Sequence, residues 1–328
     1  MSTTIDHLSY PHVRSTIQLL DDLRLSYAVV STGLILLGFF WNNLIGFAWR
    51  YVALILGVFF ANVFTFIVND FYDASHDSKD PEKRVRNLFC SPDTRQLGRA
   101  ALYTSLGLSL FFGGLVSPII LLIIVLFNIL ALFYSAPPIK LRDRPYWDWI
   151  FVFLWKGLII YAGYVYFFGI NLFTGDIFLY GTLMIIMVLS LISQLDNQIR
   201  DFVVDKTTNT DHSVQRLGYK SASILRRILI VFVFVFSCIF CYFLGLYITM
   251  MLILLNASLY YFVKPGKFRH VIDFTNIWFV VLFLEHFMAF YSYRQQLLFS
   301  AWIAVMVGLA VFHVKRINLF EDETQLGS

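Results

Sequence analysis

Ten long, almost uninterrupted apolar runs divide this chain, and they leave few folds open to it. They cover residues 26–41, 49–69, 98–114, 117–134, 148–168, 176–195, 222–243, 246–263, 272–291 and 296–313. A helix that crosses a bilayer needs about 20 apolar residues, within a range of ~17–25. The first run is short, and the seventh and eighth are parted by little more than Gly245. Because the runs are continuously apolar rather than alternating, a transmembrane barrel is not expected. Composition agrees: 59% of residues are hydrophobic and 14% charged, against about 25% charged in soluble domains. The expected fold is all-α, a polytopic transmembrane helix bundle of nine to ten spans.

The basic residues orient the bundle. With the N-terminus on the cytoplasmic side, all but Arg50, Arg294 and Lys156 of the 25 lysines and arginines fall in cytoplasmic segments, the bias that the positive-inside rule describes. Both termini and all the long polar loops are then cytoplasmic, in either a plasma membrane or the endoplasmic reticulum. The first ~24 residues lack the apolar core of a cleavable signal peptide. The expected organisation is a cytoplasmic segment over 1–25, a single membrane domain over 26–315 and a cytoplasmic tail over 316–328. Basic charge spread over loops in this way sets topology, and no nucleic-acid partner is expected.

Topology does not account for the acidic residues. In "VNDFYDASHDSKDPEKRVRN" (68–87), Asn69, Asp73 and Asp77 lie four residues apart and continue a face that begins at Asn62. A second cluster, "SQLDNQIRDFVVDKTTN", repeats the spacing with Asp201 and Asp205 and places Asp196 at the membrane boundary. Like charges at i and i+4 weaken their own helix by a few tenths of a kcal/mol, and a shared cation would offset that repulsion. Solvated helix ends are the plain alternative for either cluster alone. Two matched clusters on one side favour a hard cation such as Mg²⁺, which takes one or two carboxylates together with phosphate oxygens and water.

Basic side chains follow the same ends. Lys83, Arg84 and Arg86 come after the first cluster, and "YSAPPIKLRDRP" (134–145) adds Tyr134, Ser135, Lys140 and Arg142. Carboxylates for Mg²⁺ beside arginines and lysines are the equipment for holding a diphosphate. In a membrane protein, that diphosphate carries a lipidic tail.

These residues resemble the UbiA superfamily of intramembrane prenyltransferases. Its first motif, NDxxDxxxD, is matched by Asn69, Asp70, Asp73 and Asp77. Its second, DxxxD, is matched by Asp201 and Asp205, and its YSxxPxRxK loop is similar to Tyr134 through Arg142. The likeness runs over roughly residues 20–290. It departs at "LFCSPD" after the first motif, at "KTTNTDHSVQRLG" after the second, and in a span count of ten rather than nine. The resemblance implies a helical bundle around a central cavity open to lipid. It also implies Mg²⁺ held by Asp73, Asp77, Asp201 and Asp205 with Asn69, and an isoprenyl diphosphate donor bound by Asn69, Tyr134, Arg86, Lys140 and Arg142, with Lys83, Arg84 and Arg24 behind them. The reaction it implies passes the isoprenyl group to a lipophilic acceptor and releases diphosphate.

Ionisable groups inside the bilayer are costly and default to functional sites. Lys156 lies deep in the fifth run, and Glu285 and His286 lie deep in the ninth. They are candidates for an acceptor or proton site, with a Lys156–Glu285 ion pair as the structural alternative. Cys238 and Cys241 form a CxxC inside an apolar run, where small packing residues are expected rather than redox or zinc chemistry. Two other functions remain open at this level. A terpene cyclase of the same fold would use the same ionisation, and a cation transporter would be expected to place its charges near mid-membrane.

Overall fold

The computed structural model describes residues 25, 28, 31, 32, 49–79, 84, 85, 87–168, 177–207 and 211–262. Among them every regular element is helical. The long helices are α1 (Trp49–Asp77), α2 (Pro92–Val116), α3 (Pro118–Ser135), α4 (Trp147–Phe168) and α5 (Ile177–Arg200). Two short ones follow, α6 (Phe202–Thr207) and α7 (Ser213–Leu217), then α8 (Tyr219–Phe243) and α9 (Tyr247–Phe262). A single 3₁₀ turn, Leu141–Asp143, sits between α3 and α4. Leu25, Ala28, Ser31 and Thr32 are helical as well.

Six of these helices, all but α6, α7 and α9, are long and apolar enough to cross a membrane. Two of the expected spans, 272–291 and 296–313, lie outside the described residues, as does all of 26–41 but residues 28, 31 and 32, and with them the choice between nine and ten. The expected break at Gly245 is present. Gly245 adopts φ +71, a left-handed conformation that glycine reaches without the Cβ penalty. The amide of Leu246 then closes the turn on the Cys241 carbonyl at 2.8 Å. Cys238 and Cys241 lie on α8 outside any disulfide, and both pack in an apolar cluster with residues of α4, α5 and α9.

The helices pack in two groups. α1 lies against α2 and α3, while α4, α5, α8 and α9 pack in sequence order; α3 against α4 joins the groups. One core cluster, around Leu54, Ile120, Ile124 and Ile159, belongs to the first group and its seam with α4. The other, around Ile160, Ile192, Ile230 and Val233, belongs to the second. In lipid, where apolar burial drives little helix association, close approach of small residues supplies the packing. A Cβ placed on Gly113 would stand 2.8 Å from Ile124 Cδ1, and one on Gly57 would stand 3.0 Å from the same atom and 3.3 Å from the Gly113 amide nitrogen. An interhelical bond from Asn128 Nδ2 to Ser109 Oγ (2.9 Å) also ties α3 to α2.

Length positions the functional end. α1 has 29 residues and is therefore about 43 Å long at 1.5 Å per residue, well beyond the ~30 Å hydrocarbon layer. The last turns of α1 project from the apolar zone without losing their helical register, and they carry the first acidic motif with them.

Candidate metal and diphosphate site

Asn69, Asp73 and Asp77 occupy one face at the end of α1, as their spacing predicts. Asp70, Asp73 and Asp77 are all buried. One Asp73 oxygen, Oδ2, accepts from Asn69 Nδ2 at 3.0 Å and is ion-paired with Arg142. The other, Oδ1, is buried with no hydrogen-bond partner. Asn69 is fixed in turn by Ser135 at the end of α3, whose hydroxyl donates to Asn69 Oδ1 at 3.3 Å. Asp77 is held differently. Asn87, 1% exposed, donates through Nδ2 both to Asp77 Oδ2 and to the Asp70 carbonyl, each at 2.8 Å. Its own Oδ1 accepts the Phe89 amide at 2.9 Å. Asn87 closes the chain leaving α1 back onto the motif, a role that no spacing in the sequence indicated.

The loop after α3 brings the basic residues. Pro137 and Pro138 are followed by Lys140 at φ +40, which starts the 3₁₀ turn and aims Arg142 at α1. Burial opposes the charge on Arg142, but the carboxylates of Asp73 and Asp143 and the nearby Tyr134 outweigh it and hold its guanidinium above the usual arginine range. Lys140 is ion-paired with Asp143. Tyr134 stacks on Phe151 with ring centroids 4.2 Å apart, and its hydroxyl accepts from Gln194 Nε2 at 3.2 Å. It therefore links α3, α4 and α5 beneath the loop.

The second motif departs from a simple helix end. α5 stops at Arg200, Asp201 occupies a turn, and α6 carries Asp205. The hydrogen-bond ladder persists across the break, from the Asp201 amide to the Asn197 carbonyl (3.0 Å) and from the Asp205 amide to the Asp201 carbonyl (2.9 Å). Asp201 pairs with Arg200 at 3.1 Å. Asp205 Oδ2 lies 2.8 Å from His212 Nε2. His212 caps α7 by accepting the Gln215 amide on Nδ1, so its proton sits on Nε2 and is donated to Asp205. Asp196, expected at the membrane boundary, is paired with Arg226 of α8.

The two motif regions are coupled through Asp148, which is fully buried at the start of α4. Its carboxylate accepts from Ser213 Oγ, from the Ser213 amide at 3.4 Å and from Gln198 Nε2. Gln198 Oε1 accepts from Trp149 Nε1 at 3.2 Å, and Ser213 Oγ accepts the Tyr146 amide at 2.5 Å. The α3–α4 loop, the end of α5 and the start of α7 thus meet around one carboxylate. The motif ends of α1, α3 and α5 share one end of the bundle.

Such an arrangement can hold a polyanion through cations. Among the described residues no group of three His, Cys, Asp or Glu side chains is placed to hold a metal ion. The unpartnered, buried Asp73 Oδ1 is a carboxylate oxygen of the kind Mg²⁺ takes alongside substrate oxygens and water. Lys156 lies apart on α4, with its amine 2.6 Å from Ser31 Oγ. Arg84 is exposed, while Arg24, Lys83, Arg86, Glu285 and His286 lie outside the described residues. A groove of about 450 Å³ on the neighbouring flank of α1 is lined by Phe71, Tyr72, Ser75, Cys90, Arg95 and Arg99. It includes none of the motif carboxylates.

The family model for the UbiA prenyltransferase family matches residues 29–269. Among solved structures, a UbiA homologue from Archaeoglobus fulgidus bound to GPP and Mg²⁺ is similar with TM-score 0.63 at 18% identity, covering 83% of this chain and 98% of that one. The same homologue bound to DMAPP and Mg²⁺ gives 0.57 at 17%, over 92% and 99%. An apo UbiA homologue from Aeropyrum pernix K1 gives 0.59 at 14%, over 80% and 95%. At these identities the likeness is one of fold. No curated protein matches the chain in sequence.

Proposed function

The chain belongs to the UbiA prenyltransferase family, and from that premise we propose that it transfers an isoprenyl group from an isoprenyl diphosphate to a lipophilic acceptor within the membrane, with Mg²⁺ as cofactor. The observation that carries this reading is Asp73: buried, held on one oxygen by Asn69 and Arg142, with the other oxygen unpartnered. Homologues of the same fold bind GPP or DMAPP together with Mg²⁺, which supports the reading.

Asp73, Asp77, Asp201 and Asp205 would hold the metal, with Asn69 as a further ligand or diphosphate contact. When bound, Mg²⁺ supplies positive charge against the diphosphate as negative charge develops on it. Arg142 and Lys140 take the diphosphate oxygens, Tyr134 closes the site from below, and Arg86, with Lys83, Arg84 and Arg24, adds positive charge around it. The allylic C–O bond breaks with its electron pair leaving on the diphosphate. An acceptor carbon then donates a pair to the allylic carbon and releases a proton, for which Glu285 and His286 are the candidates. Preorganised cations in a water-poor site are worth a few kcal/mol per interaction in such a step. The motif end faces the cytoplasm in this reading, where a water-soluble diphosphate head can enter and leave.

The test is release of diphosphate from geranyl diphosphate by the purified protein in detergent or nanodiscs, with and without Mg²⁺, in wild type and Asp73→Ala. Mg²⁺-dependent release that disappears in the variant is the expected result. No release from the wild type with geranyl, farnesyl or geranylgeranyl diphosphate would sink the proposal. A cyclic hydrocarbon formed with no acceptor added would replace transfer by cyclisation.

A further inference from the structure

The groove on the flank of α1 lies beside the acidic motif and takes no part in it. Its volume, about 450 Å³, is within the range of small-ligand clefts, roughly 300–1,000 Å³. The end of α1, the chain that leaves it and the start of α2 enclose it. One wall is aromatic: Phe71 packs edge-on against Tyr72 and Phe89, with centroids 5.0 and 5.1 Å apart. The Phe89 ring lies so close to Gly98 that a Cβ there would stand 2.9 Å from it. That approach draws α2 in and sets Arg95 and Arg99 along the groove, with Ser75, Ser78 and Cys90 across from them on α1 and the following turn.

The charge of the groove is positive. Arg95 and Arg99 stand one turn apart on α2, where like charges disfavour their own helix. Both are exposed, and among the described residues neither has an ion-pair partner. Arg95 Nη2 donates only to the Phe89 carbonyl, at 3.4 Å. The carboxylates of Asp70 and Asp77 act on the Cys90 thiol from behind, opposed by Arg84 and Arg95. Both are buried and neither lines the groove. Two guanidiniums at this spacing suit phosphate oxygens.

Depth decides what carries the phosphate. The apolar run of α2 begins at Gly98, so the arginines stand where hydrocarbon gives way to head groups. One turn beyond Arg99, Tyr103 is 70% exposed, and Phe71 and Leu97 show apolar surface beside it. A further turn on, the space around Gly107 is open. A soluble phosphate would use the arginines alone, whereas a phosphate with hydrocarbon chains would use the whole flank.

We propose that this groove binds the head group of an anionic membrane phospholipid, with Arg95 and Arg99 on the phosphate oxygens and an acyl chain running past Tyr103 and Gly107. The site is separate from the groups proposed to bind metal and diphosphate, and it does not depend on the transferase reading. Phe89 and Cys90, which line it, belong to the turn in which the Cys90 amide donates to the Asn87 carbonyl at 3.1 Å. Asn87 in turn holds Asp77. A bound head group therefore braces the turn that supports the acidic motif.

Native mass spectrometry of the detergent-purified protein tests this, with dioleoyl phosphatidylglycerol or dioleoyl phosphatidylcholine added at matched concentration. The two lipids share their chains and differ in head-group charge. The wild type is expected to retain phosphatidylglycerol in preference to phosphatidylcholine. Arg99→Gln should weaken phosphatidylglycerol about tenfold, the loss expected for one charge-assisted hydrogen bond, and leave phosphatidylcholine unchanged. Arg99→Lys should recover part of the loss. Equal retention of the two lipids by the wild type, or a phosphatidylglycerol affinity indifferent to Arg99→Gln, overturns the site. If Arg99→Gln does not fold, Arg95→Gln decides by the same criterion. Inorganic phosphate is the third probe, read by thermal unfolding. Stabilisation by phosphate equal to that by phosphatidylglycerol, with the same dependence on Arg99, would make the occupant a soluble anion and overturn the lipid assignment.

Discussion

Arg142 reaches from the 3₁₀ turn after α3 to the Asp73 carboxylate on α1, so a residue of one acidic motif is already neutralised by a basic residue of a different loop. In the proposed reaction Arg142 would share its bonding with the diphosphate, and Asp73 would be among the residues that hold Mg²⁺. Arg142→Ala is expected to weaken geranyl diphosphate binding about 10–100-fold, the range for a charge-assisted bond of about 1.5–3 kcal/mol. Arg142→Lys should recover only part of it, because a point charge replaces a fork. The pH consequence has a definite sign. The folded protein raises the affinity of Arg142 for its proton, so its contribution is complete below the ordinary arginine range and is lost only above it. Titration of binding between pH 6 and 9 should show no step from this residue.

Asn87 anchors Asp77 and closes the chain that leaves α1. Asn87→Leu leaves Asp77 Oδ2 and the Phe89 amide without these partners, a loss of about 1–3 kcal/mol. A lower midpoint in thermal unfolding by tryptophan fluorescence is expected, with a higher Mg²⁺ requirement for diphosphate release. Unchanged Mg²⁺ dependence in a folded variant would show that Asp77 needs no such support.

His212 holds Asp205, one of the carboxylates proposed to bind Mg²⁺, and loss of such an outer contact to a metal ligand commonly costs 10–100-fold in metal affinity or activity. His212→Ala should raise the Mg²⁺ concentration for half-maximal diphosphate release by about tenfold. His212→Asn, which can still donate, should fall between it and wild type. The measurement is a Mg²⁺ titration at saturating geranyl diphosphate.

Gly113 allows α2 to approach α1 and α3 at Ile124. Gly113→Val forces a methyl-bearing carbon into that contact and should destabilise by about 1–3 kcal/mol, as overpacking does. Ile124→Ala in the same protein should restore part of the loss, by opening the space the new side chain needs. Thermal unfolding of the two single variants and the double variant gives the coupling.

Much of this molecule was legible in the amino-acid order because its signals are periodic. Apolar runs marked the described spans, Gly245 marked the boundary of α8 and α9, and the four-residue spacing of Asn69, Asp73 and Asp77 put them on one helical face. The pairing of Arg142 with Asp73 was not legible, since 69 residues separate them and only folding selects one arginine from several. Asn87, Asp148 and Ser213 were missed for the same reason: each is a single polar residue in a loop or at a helix start, and its partners carry no shared spacing. The break at Asp201 left no mark either, because the ladder of hydrogen bonds runs on across it.

Asp148 at the start of α4 and the Tyr146 amide of the preceding loop both hold Ser213 at the start of α7. These two segments therefore form one exchangeable part rather than two. In a chimera with another family member, replacing 136–146 alone would set a foreign loop against a native Ser213 and misplace both the Arg142 and the Asp205 ends together. Moving 136–148 jointly with 198–217 would carry the latch intact. Substrate preference written into either loop is heritable only with its partner.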